Sequence, residues 1–445
     1  MSKLQPYFHS VALDIENCKG CTICIKHCPT EAIRVRDGKA RILETRCIDC
    51  GECIKICPNH AKIAIADDFD ALNKYAYTVA LPAPSFFGQF QGPDVTVGKI
   101  LQALLTLGFT SVYEVAKAAE HVSLAVRRYV EQSPIRPLIS SACPAVVRLI
   151  QVRFPDLIEH LVPIQAPVDI AARFAKEDIM RKYDLKPEQI GAFFITPCPA
   201  KVTALRQPIG LENVWLDGAI PISTVYAKVL RVLPYLEDTP ELQEASALGL
   251  LWGRASGEED AVRAPKQVAV DGIRAVIDVL GEIEIGKFHD VDFIECQACR
   301  GGCVGGALTV QNPFLARVNL ERLAKELPPE SSLQLEKSFE ERYNAGDYGL
   351  ELNIEPRSIL KLDDDFTKAI EKMELLEKTV AALPGLDCGS CGSPSCQALA
   401  EDIVQGLATE ADCVFVLRDG VQSLAEDLLE LARRVPGSIS HEDEM

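Results

Sequence analysis

The stretch FIECQACRGGCVGGAL, from Phe293, sets Cys296, Cys299 and Cys303 among four glycines, directly after residues that read as a buried strand. Thiolates are soft metal ligands, and glycine lets a backbone close around a bulky inorganic group that side chains would exclude. Two upstream segments share the theme: SSACPAV around Cys143 and TPCPAK around Cys198. Near the start stand two C-x-x-C-x-x-C-x-x-x-C-P runs, CKGCTICIKHCP and CIDCGECIKICP, and near the end DCGSCGSPSC carries Cys388, Cys391 and Cys396, with Cys413 beyond. Redox metal chemistry is the first expectation, with zinc as its structural competitor.

Composition narrows the classes. The 445-residue chain has 17 cysteines, and its opening MSKLQPYFHS lacks the apolar segment of a secretory signal. A cytoplasmic location is therefore expected, where thiols stay reduced and cysteine spacing reads as metal ligation rather than disulfide bonding. With 64 acidic against 46 basic side chains the formal charge is −18, which disfavours nucleic acid and anionic membranes as partners. No run reaches the roughly eighteen apolar residues of a membrane span.

In a C-x-x-C-x-x-C-x-x-x-C-P run three thiolates ring one iron-sulfur cube and the fourth reaches the neighbouring cube. Cys18, Cys21, Cys24 and Cys57 are thus expected to hold one 4Fe-4S cluster, and Cys47, Cys50, Cys53 and Cys28 another. Paired zinc sites rarely use this spacing. The segment resembles bacterial dicluster ferredoxins, and an α+β domain of that type is expected over 1–75.

From Tyr77 onward apolar strands alternate with amphipathic helices: YTVALPAP, a helix from about Val95 to Leu107, then PLISSAC, GAFFITPC and VDFIEC. This pattern predicts an α/β domain with largely parallel sheets over 76–330. Four strands run into turns at Ser85, Cys143, Cys198 and Cys299, the strand ends where open α/β sheets bind ligands. A charged stretch over 331–380 contains a helical stripe within Asp364–Ala381 (Phe366, Ile370, Met373, Leu376, Val380), expected to be a connector packed on the main body. A small helical cluster domain over 381–420 and a helix with a disordered acidic tail, SISHEDEM, over 421–445 complete the reading. The stripe of that last helix is expected to dock on its own domain, with a partner-binding role as the competitor.

The last cysteine group resembles the single-cluster 4Fe-4S domain of corrinoid iron-sulfur proteins and of the B subunit of Rnf complexes, which implies Cys388, Cys391, Cys396 and Cys413 as one ligand set, with a zinc knuckle as the competitor. The three central segments, in their order, resemble the signatures of the FeFe-hydrogenase catalytic domain. That resemblance implies an H-cluster: a 4Fe-4S cube on Cys143, Cys198, Cys299 and Cys303, with Cys303 bridging to a di-iron unit that carries carbonyl, cyanide and a dithiolate once matured. It further implies that Lys201 pairs with one cyanide and that Ser85, after Pro84, hydrogen-bonds the other. The cofactor complement is then four 4Fe-4S clusters plus the di-iron unit. Cys296 is left without a ligand role and is expected to face the core as a small hydrophobe.

Several positions depart from highly active members. A proton-shuttling cysteine is replaced by Ala142, a serine farther along the route by Ala166, and HVSLAVRRY offers no carboxylate between Glu120 and Glu131. Pocket methionines are replaced by Thr196 and Gln297. These departures are similar to those of the sensory branch, and they imply an anaerobic protein that binds and reversibly but slowly oxidises hydrogen, its proton leaving through water. Its partners would be hydrogen, protons and a redox or signalling protein, with a homodimer also compatible. The competing expectations are a non-catalytic iron-sulfur protein without the di-iron unit and an electron-transfer hydrogenase subunit of a larger complex.

Overall fold

The computed structural model describes residues 7–331, 333–357, 362–363 and 365–433; the SISHEDEM tail and Asp364 lie outside them. The chain divides into two compact units, 1–17 with 44–359, and 18–43 with 360–445. The ferredoxin-like segment expected as one domain over 1–75 is therefore shared between them, its first cysteine run belonging with the C-terminal residues.

The larger unit is built on two parallel sheets. In the four-stranded sheet the spatial order is Ser111–Val112, Tyr77–Pro82, Ile190–Thr196 and Gly218–Pro221. The three-stranded sheet runs Gln267–Asp271, Phe293–Gln297 and Leu138–Ile139. The strands Ile190–Thr196 and Phe293–Gln297 are buried throughout, which is why the first is a nearly continuous apolar run, while the second buries Glu295 and Gln297 among its apolar residues. Helices cover the sheets; Val97–Thr106 realises the helix expected near there, with Thr96 as its cap, and Val115–Gln132 packs in the main core with Pro167–Tyr183. A short antiparallel pair, Val11–Leu13 with Lys62–Ala64, completes this unit.

In the smaller unit Ile33–Arg36 and Lys39–Ile42 form a hairpin beside the helix Ile23–His27. The C-terminal residues add three helices, Phe366–Ala382, Cys396–Val404 and Val414–Arg433. The connector stripe behaves differently from expectation. Leu376 and Val380 pack with Leu383 and Leu399, whereas Phe366, Ile370 and Met373 are exposed. The stripe of the last helix is likewise corrected: Val421, Leu424 and Leu428 are exposed, and no residue of that helix is buried. Among the described residues no helix is long and apolar enough to cross a membrane.

Candidate metal centre

Two of the central cysteines owe their position to a local rule legible in the chain. Proline has no amide hydrogen to lose and a helical φ, so it is favoured as the first residue of a helix, and the residue before it is driven to extended backbone. In SSACPAV and TPCPAK the strand therefore ends, Cys143 or Cys198 becomes the cap, and a helix starts at Pro144 or Pro199. Both thiols stand at a strand's carboxyl end and a helix N-terminus. Cys299 and Cys303 follow the strand Phe293–Gln297 on a loop with Gly301 and Gly302 at positive φ.

All four thiols line one cavity of about 830 Å³, together with Pro84, Ser85, Ala142, Lys201 and Gln297. Cys303 keeps accessible surface, and that surface opens into the cavity. Without metal the Cys198, Cys299 and Cys303 sulfurs resist ionisation. Burial first, then the neighbouring Cys143, push the Cys198 thiol up to about 11. Cys303 is pushed well above its ordinary value by burial, then by Cys198, Cys143 and Cys299, with Lys201 opposing. A cationic group among them would displace the protons and hold them as thiolates.

Glycine lets the cysteine loop pack closely against the segments around Ala255 and Pro197. A Cβ on Gly302 would lie 2.3 Å from the Ala255 nitrogen, and one on Gly306 2.3 Å from the Pro197 oxygen. Two buried polar atoms on the wall, Ser85 Oγ and Gln297 Oε1, have no hydrogen-bond partner. An unsatisfied buried polar group costs about 1–3 kcal/mol, so the pair points to a polar guest in the cavity. The thiol set, the glycine cradle and the orphaned acceptors together fit a cubic iron-sulfur cluster with a second, ligand-bearing metal unit beside it.

Thr196 takes a place other than the one expected. It does not line the cavity; its Oγ1 donates to the Cys198 carbonyl at 3.0 Å and accepts from the Cys198 amide at 3.4 Å. It shapes the cysteine turn. Cys296 is buried in the core as its alternation implies and also borders the cavity. Glu120 is turned to structural use, accepting from the Ser246 amide at 3.0 Å and from Ser331.

A carboxylate that sequence reasoning passed over lies in the cavity wall. Glu258 follows Ser256 and Gly257 in the first turn of the helix Gly257–Val262, where an acidic residue reads as solvated. It is instead buried, its Oε2 accepting from Ser140 Oγ at 2.6 Å, while Ser140 Oγ accepts from the Ala142 amide at 3.2 Å. Burial pushes Glu258 up to about 7 against the opposing Ser140 bond and Lys201 charge. Behind it, Glu295 is raised well above the usual range by burial and by the Glu258 charge, and holds the Ser256 and Glu259 amides at 3.1 and 2.7 Å. Lys201 also borders a second cavity of about 480 Å³ with Ala166 and Asp169. Asp169 is raised by burial and opposed by the Lys201 charge.

In the same unit, Cys50 and Cys53 flank the start of the helix Glu52–Ile56, whose cap Gly51 has φ 79°. A Cβ there would lie 2.5 Å from Ala307 Cβ and 3.0 Å from Pro199 Cγ, so this loop presses against both sides of the central site. Burial alone would lower the Lys55 ammonium, but Cys299, then Glu52 and Cys50, hold it raised.

In the smaller unit, Cys391, Cys396 and Cys413 pack with Leu399 and Ala400, and Cys388 is exposed on the same loop. The loop is fixed to the hairpin: Val35 N donates to the Gly392 carbonyl at 2.7 Å, and a Cβ on Gly392 would come within 1.9 Å of the Val35 oxygen. Asp402 accepts from Arg34 Nε at 2.7 Å, Arg36 Nη2 at 2.8 Å and Ser393 Oγ at 3.2 Å, and Arg36 Nη1 also holds the Cys391 carbonyl at 2.9 Å.

Comparison with known proteins matches three regions of the chain. Residues 76–209 and 238–307 match the family described as the iron-only hydrogenase large subunit, C-terminal domain. Residues 10–58 match a 4Fe-4S dicluster domain, and 383–415 match an iron-sulfur cluster family. Iron hydrogenase 1 of Clostridium pasteurianum is 26% identical over 52% of this chain and 49% of its own, so the chain spans about half the length of that relative. The periplasmic Fe hydrogenase large subunit of Nitratidesulfovibrio vulgaris is 29% identical over 67% of this chain and 86% of its own. A cytosolic Fe-S cluster assembly factor of Yarrowia lipolytica is 27% identical over 28% of this chain and 26% of its own. Among solved structures, an FeFe-hydrogenase from Chlamydomonas reinhardtii is similar in fold, with a TM-score of 0.50 and 16% identity over 65% of this chain and 98% of that one.

Proposed function

We propose that this chain, which belongs to the family of iron-only hydrogenase large subunits, binds hydrogen at an H-cluster and oxidises it reversibly and slowly as a hydrogen or redox sensor. One observation carries the reading. The cavity that gathers Cys143, Cys198, Cys299 and Cys303 extends to Ser85, Lys201 and Gln297, groups for which a cube alone has no use. When bound, the di-iron unit supplies the open metal position at which hydrogen is split heterolytically.

The protein's own part is to hold that unit and to move charge away from it. Lys201 offers a point charge and Ser85 Oγ a free hydroxyl to anionic ligands. Ala142 can neither give nor take a proton, so the released proton passes to Glu258, the carboxylate on the cavity wall. This revises the expectation that protons leave by water alone. The two electrons leave one after the other toward the Cys47–Cys57 loop, and the dicluster match covers all eight N-terminal cysteines, which supports two ferredoxin-type cubes with exchanged ligands. The fourth 4Fe-4S cluster is assigned to Cys388, Cys391, Cys396 and Cys413, and a redox or signalling protein in the cytoplasm is the proposed recipient. Infrared spectra of the matured protein test the whole reading: bands of iron-bound carbonyl and cyanide that respond to hydrogen gas are expected, and a matured sample without them overturns it.

Ser85 gives a test that needs no turnover. In protein lacking the di-iron unit, Ser85→Ala is expected to raise stability by about 1 kcal/mol, because an unpaired buried hydroxyl is removed. In matured protein the same change should shift a cyanide band and lose that gain. Lys55→Gln removes the cation beside Cys299 and is expected to lower the potential of the central cube by on the order of 50 mV, read by redox titration of its paramagnetic resonance signal.

The second reading, a non-catalytic iron-sulfur protein, is favoured by the likeness to a cluster assembly factor and by Ala142. It requires the cavity to stay without carbonyl and cyanide after maturation, which the infrared experiment decides.

A further inference from the structure

The helix Val414–Arg433 leaves an ordered apolar seam without a cover. Val414, Leu417, Val421, Leu424, Leu428 and Leu431 are between 44% and 60% exposed. Their spacing alternates three and four residues through the whole helix, a heptad repeat with Val414, Val421 and Leu428 at one core position and Leu417, Leu424 and Leu431 at the other. A helix that docks on its own domain buries a broad apolar face; this one packs only its first turn, where Phe415 and Val416 are half-buried beside the buried Cys413. Leu417, Val421 and Leu424 border an open groove with Ile403 and Ala408, and the seam stays exposed from Val421 to Leu431.

We propose that this seam is the dimerisation element of the protein, and that its occupant is the same helix of a second copy in a parallel two-stranded coiled coil. Valine at two of the three first core positions, Val414 and Val421, with leucine at every second one favours two parallel strands. The flanking positions raise no like-charge opposition, since Gly420, Ala425 and Ala432 are small and Asp427 faces Ala432 of the second copy in the parallel register. Six side chains per helix, each worth on the order of 100 Å² of apolar surface, bury on the order of 1,000 Å² in the pair. That is near the lower edge of a stable interface, so a dimer that dissociates on dilution is expected.

The polar face argues against a membrane as the occupant. Asp419, Glu426, Asp427 and Glu430 outnumber Arg418 and Arg433, and an in-plane amphipathic helix depends on a basic face. The seam also differs from the exposed Phe366, Ile370 and Met373, which carry no heptad repeat long enough to name an occupant.

Light scattering on the full chain, with or without clusters, tests the seam independently of the hydrogen reading. The dimer mass is expected at tens of micromolar, falling toward half on dilution. Leu424→Asp combined with Leu428→Asp should give a monomer at all concentrations with unchanged iron content, whereas Gln422→Asp, on the outer face, should leave the dimer intact. Ala432→Lys, opposite Asp427 of the second copy, should tighten the dimer about two-fold to five-fold and Ala432→Glu weaken it, which only the parallel register predicts. A wild-type monomer at high concentration, a monomer that copurifies with a foreign chain, a dimer indifferent to the Leu424 and Leu428 changes, or a dimer indifferent to the charge at position 432 would each overturn the proposal.

Discussion

Glu258→Gln is expected to slow hydrogen–deuterium exchange by matured protein about 100-fold or more, with the carbonyl and cyanide bands nearly unmoved. The glutamine keeps the volume and an oxygen for Ser140 Oγ, now held at 2.6 Å, yet it cannot accept a proton. Exchange by the native protein should rise as pH climbs through about 7, where Glu258 ionises and becomes a base, and the glutamine variant should lose that rise. Ala142→Cys is expected to increase the rate, because residue 142 shares the Ser140 link to Glu258. Combined with Glu258→Gln the gain should largely vanish, since two groups on one relay do not add. A glutamine variant with native exchange and an unchanged pH profile would remove Glu258 from the proton path.

The same carboxyl fixes the sign of a stability effect in protein without metal. Its folded value near 7 lies above the ordinary 4.5, so between those values the folded state holds more protons than the unfolded one. The stability it contributes is full below about 4.5 and is lost as pH rises through 7, by up to about 3 kcal/mol. Glu114, raised to about 7 chiefly by burial, acts in the same direction, so Glu258→Gln should flatten only part of the slope seen in thermal unfolding.

What the sequence could disclose follows from how local each cause is. The Cys-Pro dipeptides at Cys143 and Cys198 carry their own geometry, because proline sets both the helix start and the cap before it. The glycines after Cys299 announce a crowded backbone in the same way. Glu258 could not be found like this: its acidic neighbours suit a solvated helix start, and only Ser140, 118 residues away, turns it inward. Sheet membership was equally hidden, since the apolar runs at Tyr77 and Phe293 look alike yet belong to different sheets. Thr196 was misread for a related reason. Its side chain satisfies the turn that carries Cys198 instead of facing the guest, a choice made by hydrogen bonds within two residues that composition does not reveal. IRVR reads as a strand with its arginines in water, and the partner that buries Arg34, Asp402, lies 368 residues on.

That partnership yields the other large effect. Asp402 lies between two guanidiniums, with side-chain exposure of 6% against 4% for Arg34 and 19% for Arg36. Removing one member of a buried ion cluster strands the others, which costs about 3–5 kcal/mol, more than the cluster contributes relative to an apolar replacement. Asp402→Ala is therefore expected to open the smaller unit locally: the Val35 amide, bonded to the Gly392 carbonyl, should exchange with solvent at least 100-fold faster. Because Arg36 also holds the Cys391 carbonyl, the C-terminal cluster should be lost from iron counts and paramagnetic resonance while the central infrared bands persist. Asp402→Asn keeps the shape and one acceptor but leaves two like charges uncompensated, so it should fall between wild type and alanine. Replacing Arg34 and Arg36 by leucine together with Asp402→Leu should recover much of the loss, which distinguishes a charge left unpaired from a cavity left unfilled. Protection of Val35 that survives Asp402→Ala would mean that the backbone bond, not the ion cluster, secures the cysteine loop.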